Sequence, residues 1–363
     1  MPVEPPLGIS KAKKVKRHGN LFDQVISLDN LRAADETARK GKLRSYGVKV
    51  HDKHREANLQ TLHEQLKAET YKPSAYTTFI IHEPKERVIF RLPYYPDRIV
   101  HHAIMNVVAP IWRGLFDRDT YCGLPGRGIQ AAADRVKYFL RNQPGNCRYC
   151  LKIDIRKFYP SIDHDVLKQE VRWKIKDRRL LALIDDLIDS ADGIPIGNHP
   201  SIFFALLYFA RFIMWLRQRW AREHGVKLIM IDYADDIVFL ASDKKILRQL
   251  LADMEDYLAT HLKLEIKPNK QIFPVARTHR DKHGRGIDFL GYVFYLEETR
   301  LRKGIKKHFA RAIGNMRKAK KPISEADFLQ RCASWWGWCK HSDSKFLIQK
   351  LNKTAPYEIK FKR

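Results

Sequence analysis

The stretch that most constrains this chain is Lys227–Ser242, where two apolar runs, Leu228-Ile229-Met230-Ile231 and Ile237-Val238-Phe239-Leu240, meet at Asp235-Asp236. Runs so rich in β-branched and large apolar residues, broken by a short polar pair, predict the two strands of a hairpin. The turn then carries two carboxylates. Buried without a partner they would cost several kcal/mol or take up protons, so a cationic side chain or a metal ion has to share the site. A second strand-like run, Cys150–Tyr159, is interrupted by Asp154. Three carboxylates on neighbouring strands make a hard-oxygen site, which suits Mg²⁺ and, at about 3.5–4 Å separation, a pair of such ions. Phosphoryl transfer is the chemistry that a site of this kind serves.

The charge balance points to the partner. Lys and Arg number 68 against 41 Asp and Glu, a formal net charge of +27 over 363 residues. That excess calls for a polyanion, and nucleic acid is favoured over a membrane because no long apolar span or amphipathic anchor is expected. From Leu301 to Arg363 seventeen Lys or Arg face four acids, which makes the C-terminal part the strongest candidate for phosphate-backbone contact. The cysteines, Cys122, Cys147, Cys150, Cys332 and Cys339, form no four-ligand zinc pattern and are expected as core thiols. With no apolar leader, a reducing cytoplasm is the expected setting.

Along the chain, residues 1–20 carry the basic cluster Lys11–Arg17 and read as a flexible arm. Apolar spacing then predicts two helices up to Lys72, joined by a loop near Tyr46-Gly47. A hairpin follows, Tyr76–His82 and Val88–Leu92, presenting Lys85, Arg87 and Arg91. Asp97 is expected to cap a helix through Val108 that ends before Pro110. The Gly-rich basic loop Tyr121–Gly128 precedes a helix over Ile129–Arg141 and lacks any Walker pattern. A second Gly loop, Gly193–Ser201, leads into an apolar helix, Ile202–Trp220, and its glycines let backbone approach a ligand. Beyond the Asp-Asp hairpin come an amphipathic helix (Lys245–Leu262), a segment holding Lys267 and Lys270, a short apolar hairpin strand (Ile287–Tyr295) and three helices from Lys303 onward. Trp335, Trp336 and Trp338 read as core of that last part.

Tyr233-Ala234-Asp235-Asp236 between strands resembles the catalytic motif of reverse transcriptases, and the Asp154 segment resembles their other aspartate motif, in the same order and at a fitting separation. Most of the chain follows that order, so the resemblance is to bacterial retroelement reverse transcriptases. It implies an α+β, right-hand polymerase with fingers, a ferredoxin-like palm and a helical thumb. The corresponding segments are 1–72 (arm and helices), 73–295 (fingers and palm) and 296–363 (thumb). Ile194-Pro195-Ile196-Gly197-Asn198 with Ser201 and Phe203-Phe204-Ala205 resembles the loop of diversity-generating retroelement enzymes, and Phe289-Leu290-Gly291-Tyr292 and Ser334-Trp335-Trp336-Gly337 with His341 fit the same group. The chain departs from that group at Ile202, where a glutamine usually follows the serine, which leaves room for a related clade that serves in phage defence. Group II intron maturases fit less well, since their loop carries Pro-Gln-Gly where this chain has Pro195-Ile196-Gly197, and the residues after Tyr295 suffice for a thumb only. Retrons fit less well because their Val-Thr-Gly thumb motif is missing.

The resemblance assigns roles. Asp154, Asp235 and Asp236 hold two Mg²⁺ ions; Lys85 and Arg87, with Arg91 a weaker candidate, meet the triphosphate of the incoming dNTP; Lys270 protonates pyrophosphate. Tyr159, five residues past Asp154, stands where the family has an aromatic gate against a 2′-hydroxyl, and Phe158 falls to the core. Gly197 and Ile196 face the nucleotide, and a β-branched apolar residue at 196 cannot make the hydrogen bonds of a glutamine, which predicts error-prone synthesis. RNA template, DNA primer or cDNA, a structured non-coding RNA and a small basic accessory protein are the implied partners. The rival reading is an RNA-binding scaffold whose aspartates are vestigial.

Overall fold

The computed structural model describes residues 16–82, 86–319 and 321–359. In chain order come α1 (Phe22–Ile26), α2 (Leu28–Ala38), α3 (Tyr46–Asp52), α4 (Arg55–Lys67), β1 (Thr77–Ile81), β2 (Arg87–Arg91), α5 (Ile99–Arg113), α6 (Ile129–Asn142) and β3 (Tyr149–Asp154). Then follow α7 (His164–Lys174), α8 (Arg178–Ile188), α9 (Ser201–Trp215), which runs through a π turn (Leu216–Trp220) into α10 (Ala221–Glu223), and the hairpin β4 (Ile229–Tyr233) and β5 (Asp236–Ala241). The chain ends with α11 (Lys244–Leu262), β6 (Gln271–Pro274), β7 (Ile287–Phe289), β8 (Tyr292–Phe294), β9 (Thr299–Leu301), α12 (Lys303–Arg317), α13 (Glu325–Lys340) and α14 (Lys345–Asn352). These elements form two compact units of three segments each: Met1–Arg118, Ile155–Val226 and Met254–Ile266 make the first, and Asp119–Asp154, Lys227–Asp253 and Lys267–Arg363 the second.

The first unit is helical apart from the β1–β2 hairpin. Its helices start where short polar side chains satisfy the first free N–H groups: Ser27 caps α2, Asp163 accepts from Val166 at 3.0 Å to start α7, and Asp177 accepts from Leu180 to start α8. At its N-terminal end the carboxylate of Asp35 is fully buried among Arg39 (2.6 Å), Arg55 (2.6 Å) and the Tyr94 hydroxyl (2.5 Å), which ties α2, the segment before α5 and α4 together. The helix α9 is apolar almost throughout, Arg211 excepted, and Phe203–Ala210 are all buried, so it forms the centre of this unit.

Four local expectations are corrected. The loop expected near Tyr46-Gly47 is the helix α3, where Gly47 lies so close to Tyr94 that a Cβ would stand 2.9 Å from the Tyr94 Cβ. The helix expected to stop before Pro110 continues to Arg113, because Val108, Ala109 and Trp112 are buried and that burial outweighs the hydrogen bond that the proline removes. Asp97 caps nothing; it is buried and accepts from the Tyr71 hydroxyl (2.8 Å) and the Ser74 N–H (2.9 Å). The arm expected through residue 20 is anchored from His18, which exchanges backbone hydrogen bonds with Lys174 (2.7 Å) and Lys176 (2.8 Å); residues 11–15 of its basic cluster lie outside the described residues. In addition, Ser201–Glu223 is one helix long and apolar enough to cross a membrane, contrary to the expectation that the chain holds no such span, and 67% of its most apolar window is buried in the protein.

The second unit contains a four-stranded antiparallel sheet in the order β4-β5-β3-β6, the order of a ferredoxin-like sheet. A three-stranded sheet, β7-β8-β9, follows. The run Ile287–Tyr295, expected as a short hairpin strand, is the β7–β8 hairpin, which turns on Leu290 (φ 50°) and Gly291 (φ 81°), and the two positive φ values are those of a tight hairpin turn. Gly291 is required there, since a Cβ would meet the Trp338 ring at 2.6 Å. Trp335 stacks on Phe309 with centroids 5.2 Å apart, and the core of this unit runs from the sheet through Phe289, Tyr292 and Phe294 to Phe309 and Phe328.

Candidate active site

Three of the expected site residues converge in the second unit. β4 and β5 are joined by a two-residue turn, Ala234-Asp235, in which Ala234 adopts φ 58°. A left-handed alanine costs about 1–2 kcal/mol, a strain that the flanking strands sustain. The strands are well anchored: Ile237–Leu240 are all buried, and Asp232, itself buried, accepts from the Thr120 hydroxyl at 2.7 Å. On the other side of β5 lies β3, in a register that sets Asp154 opposite Asp236. The alternation of a pleated strand sets Lys152 and Asp154 on one face with partial access to solvent, while Leu151 and Ile153 are buried on the other.

The carboxylates crowd one another. Burial first, and then the neighbouring Asp154 and Asp235, push the Asp236 carboxyl above the usual carboxylate range, and Lys152 pulls in the opposite sense. Lys152 Nζ stands 3.4 Å from Asp236 Oδ1 and is held there by donating to the Asp288 carbonyl at 2.6 Å. Lys267 Nζ donates to Asp154 Oδ2 at 2.6 Å, and the Lys267 N–H donates to the Asp154 carbonyl at 2.9 Å. Asp154 Oδ1 and Asp236 Oδ1 are both shut off from solvent and accept no hydrogen bond. Among the described residues no three His, Cys, Asp or Glu side chains already form a metal-holding group. The donor set nonetheless fits a hard divalent cation: it is all carboxylate oxygen, two of those oxygens accept no hydrogen bond, and the negative charge is in excess.

Lys152 and Lys267 are functional candidates that the sequence pattern did not single out. Lys152 precedes Asp154 by two residues and therefore shares its face of β3, a signal that strand alternation offers. Lys267 lies three residues before Lys270 in the same run, and its backbone and side-chain hydrogen bonds to Asp154 single it out. Lys270 follows with its N–H donating to the Lys267 carbonyl at 3.2 Å.

The remaining candidates lie in the first unit. Phe158 is buried and stacks on Phe209 with centroids 4.5 Å apart, while Tyr159 beside it is half-buried. The Gly loop is clamped against it: Ile194 N–H donates to the Tyr159 carbonyl at 2.9 Å, His164 Nε2 pairs with the Gly193 carbonyl at 2.9 Å, and the Ser201 hydroxyl donates to the Pro195 carbonyl at 2.7 Å. The loop also carries the hairpin, since Phe90 N–H of β2 donates to the Ile196 carbonyl at 2.8 Å and Asn198 Nδ2 donates to the Tyr76 hydroxyl at 2.6 Å. Gly197, at φ 124°, lets this happen, because a Cβ would run into the Phe90 carbonyl oxygen. Arg87 and Arg91 are exposed at the two ends of β2, and Lys85 lies outside the described residues.

An antiparallel sheet with Asp154 opposite Asp236, and Asp235 in the adjoining turn, defines the fold class as that of the right-hand polymerases. The family model described as reverse transcriptase (RNA-dependent DNA polymerase) matches residues 81–294, well over half of the chain, and the chain belongs to that family. Protein YkfC of Escherichia coli (strain K12) is 25% identical over 177 residues, 45% of this chain and 46% of that protein. The group II intron-encoded protein LtrA of Lactococcus lactis subsp. cremoris is 22% identical over 184 residues, 46% of this chain and 30% of LtrA. The aligned region thus spans less than half the length of these curated relatives. Among solved structures, a telomerase from Candida tropicalis in complex with a fragment of telomeric RNA matches with a TM-score of 0.49 and 10% identity, over 81% of this chain and 56% of that one.

Proposed function

We propose that this protein is an RNA-directed DNA polymerase that copies an RNA template into cDNA by nucleotidyl transfer. The observation that carries the reading is the Asp154–Asp236 pairing across β3 and β5, with Asp235 in the adjoining turn and two buried carboxylate oxygens that accept no hydrogen bond. Asp154, Asp235 and Asp236 are the residues that would hold two Mg²⁺ ions. When bound, the ions lower the pKa of the primer 3′-hydroxyl and neutralise charge on the phosphates. Lys267 and Lys152 keep the carboxylates in place by charge, Arg87, with Lys85 and Arg91, meets the triphosphate, and Lys270 returns a proton to the departing pyrophosphate. Tyr159 excludes a 2′-hydroxyl and so selects dNTPs, and Ile196 relaxes checking of the base pair, so synthesis is error-prone.

Within the family, the loop Ile194–Asn198 with Ser201 supports a bacterial diversity-generating retroelement enzyme, and Ile202 supports the neighbouring reading, a phage-defence enzyme that makes DNA from a dedicated non-coding RNA. A basic accessory protein and a structured RNA complete the particle in the cytoplasm under either reading, and 296–363 serves as the thumb. The test is dNTP incorporation on poly(rA)/oligo(dT) with Mg²⁺ for the wild type and for Asp235→Asn with Asp236→Asn. Incorporation that the double variant loses is expected. Equal incorporation by both would remove the aspartates from the chemistry, and silence from both, even with RNA from the native host, would leave an RNA-binding scaffold.

A further inference from the structure

In the first unit, a cavity of about 400 Å³ opens between the segment after α2, the first turn of α5 and the loop before α9. Lys40 and Lys42 line it from the first of these, Arg98, His101 and His102 from the second, and His199 from the third. Among the described residues no carboxylate lines it, and Lys40, Lys42 and Arg98 enter no ion pair. Other cations of this unit that line its interior do meet carboxylates, as Arg39 and Arg55 meet Asp35 and Arg211 meets Glu170. Here, positive charge is gathered without a counter-charge.

The groups respond to one another as a concentrated cation would require. Lys42 is pushed below its usual range by burial and by Arg98, and burial together with His199, His101, Lys42 and Arg98 drives His102 down to about 3. His102 and His199 stack face to face, with centroids 4.0 Å apart and planes 8° from parallel, a contact open to neutral imidazoles. His101 is 1% exposed, and its Nε2 has no hydrogen-bond partner. Three imidazoles suggest a metal, but Lys42 and Arg98 would repel a cation, whereas a phosphate would neutralise both.

We propose that this cavity is a phosphate-binding pocket that takes the backbone of a single-stranded RNA, with Lys40, Lys42 and Arg98 as the charged contacts and the histidines as hydrogen-bond partners. The choice of a strand over a free phosphate rests on the polymerase reading, on the net charge of +27, and on the loop that links the pocket to the hairpin: Asn198 and Gly197 line the cavity while Ile196 beside them holds β2. A strand seated there is coupled to the position of Arg87 and Arg91 through that one loop.

The test is run on the full chain in EDTA, so that no polymerisation step enters and its outcome is separate from that of the polymerase assay. Carbethoxylation of the exposed His199 by diethyl pyrocarbonate is followed by mass spectrometry with rU12, AMP or inorganic phosphate added. Protection by rU12 at concentrations well below those of AMP and phosphate is expected. Protection by AMP or phosphate at lower concentration than by rU12 would overturn the strand in favour of a small-molecule site, and unchanged modification under saturating rU12 would overturn the pocket altogether. Replacing Lys40 and Lys42 by Ala should lower the salt slope of rU12 binding by about 1.4, at roughly 0.7 per phosphate on a single strand, while Lys40→Arg with Lys42→Arg keeps it. A slope unchanged in the alanine pair, with the fold intact by circular dichroism, would also overturn the assignment.

Discussion

Replacing Gly193 by alanine tests whether the Gly loop positions Tyr159. Gly193 sits at φ 59°, and a Cβ there would stand 2.6 Å from the Tyr159 carbonyl oxygen and 2.7 Å from Pro160 Cα and its carbonyl oxygen. A left-handed alanine costs about 1–2 kcal/mol. Forcing a methyl group against backbone that cannot swing aside adds about 1–3 kcal/mol. The loss of stability is therefore about 2–5 kcal/mol, or a fall in Tm of roughly 5–15 °C at the scale of a unit of this size. Relief requires the Tyr159 carbonyl to move, and with it the Ile194–Tyr159 hydrogen bond and the ring. The assay pairs thermal denaturation with the ratio of dNTP to rNTP incorporation, which is expected to fall. A Tm within a degree or two of wild type would refute the packing argument. A large drop in Tm with unchanged sugar discrimination would refute the role of Tyr159 while leaving the packing intact.

Gly314→Ala makes the opposite case: it lies inside α12 with nothing near a new Cβ, so stability should rise by about 0.5–1 kcal/mol in chemical denaturation. Ile196→Gln should narrow the error spectrum of cDNA synthesis by sequencing of products, and matching spectra would sink the fidelity argument. Asp35→Ala leaves Arg39 and Arg55 without their buried partner and should cost about 3–5 kcal/mol. Burial alone would raise the Asp35 pKa, but the neighbouring His51 and hydrogen bonds from Tyr94, Arg55 and Arg39 more than offset it and hold the carboxyl below the usual range. Its contribution is thus present above the unfolded-state value and is lost as pH falls toward the folded one, so wild type should lose more stability than Asp35→Ala between pH 4 and pH 2. Asp236→Asn relieves the crowding with Asp154 and Asp235 and should raise Tm by a few degrees in EDTA while abolishing incorporation.

Much of the catalytic sheet was legible in one dimension. Its strands are short, apolar and bounded by turn residues, and their identity as β follows from β-branched composition whatever surrounds them. Asp154, Asp235 and Asp236 stood out because a carboxylate inside such a run needs a partner, which is a local argument. The Gly loop with Ser201 and the helices α12 to α14 were legible for similar reasons, through apolar period and breakers, whereas the two helices expected over 21–72 are four, α1 to α4.

Other features depended on what the chain meets after folding. Pro110 does not end α5, because the burial of Trp112 is a tertiary gain that no local propensity contains. Asp97 resembles a helix cap in sequence yet serves Tyr71 and Ser74, since the nearer partners arrive from 23 and 26 residues away. Lys152 and Lys267 become part of the carboxylate site only through strand register and the bridge beside Asp154, and the cavity at Lys42, Arg98 and His199 joins segments spread over some 160 residues of chain. By itself the sequence determined strands, turns and the need for a counter-charge, because these rest on residue type and nearest neighbours. Tertiary structure alone decided which cations answer that need and which are left to receive an anion, because Coulomb interactions act through space between groups that only folding brings close.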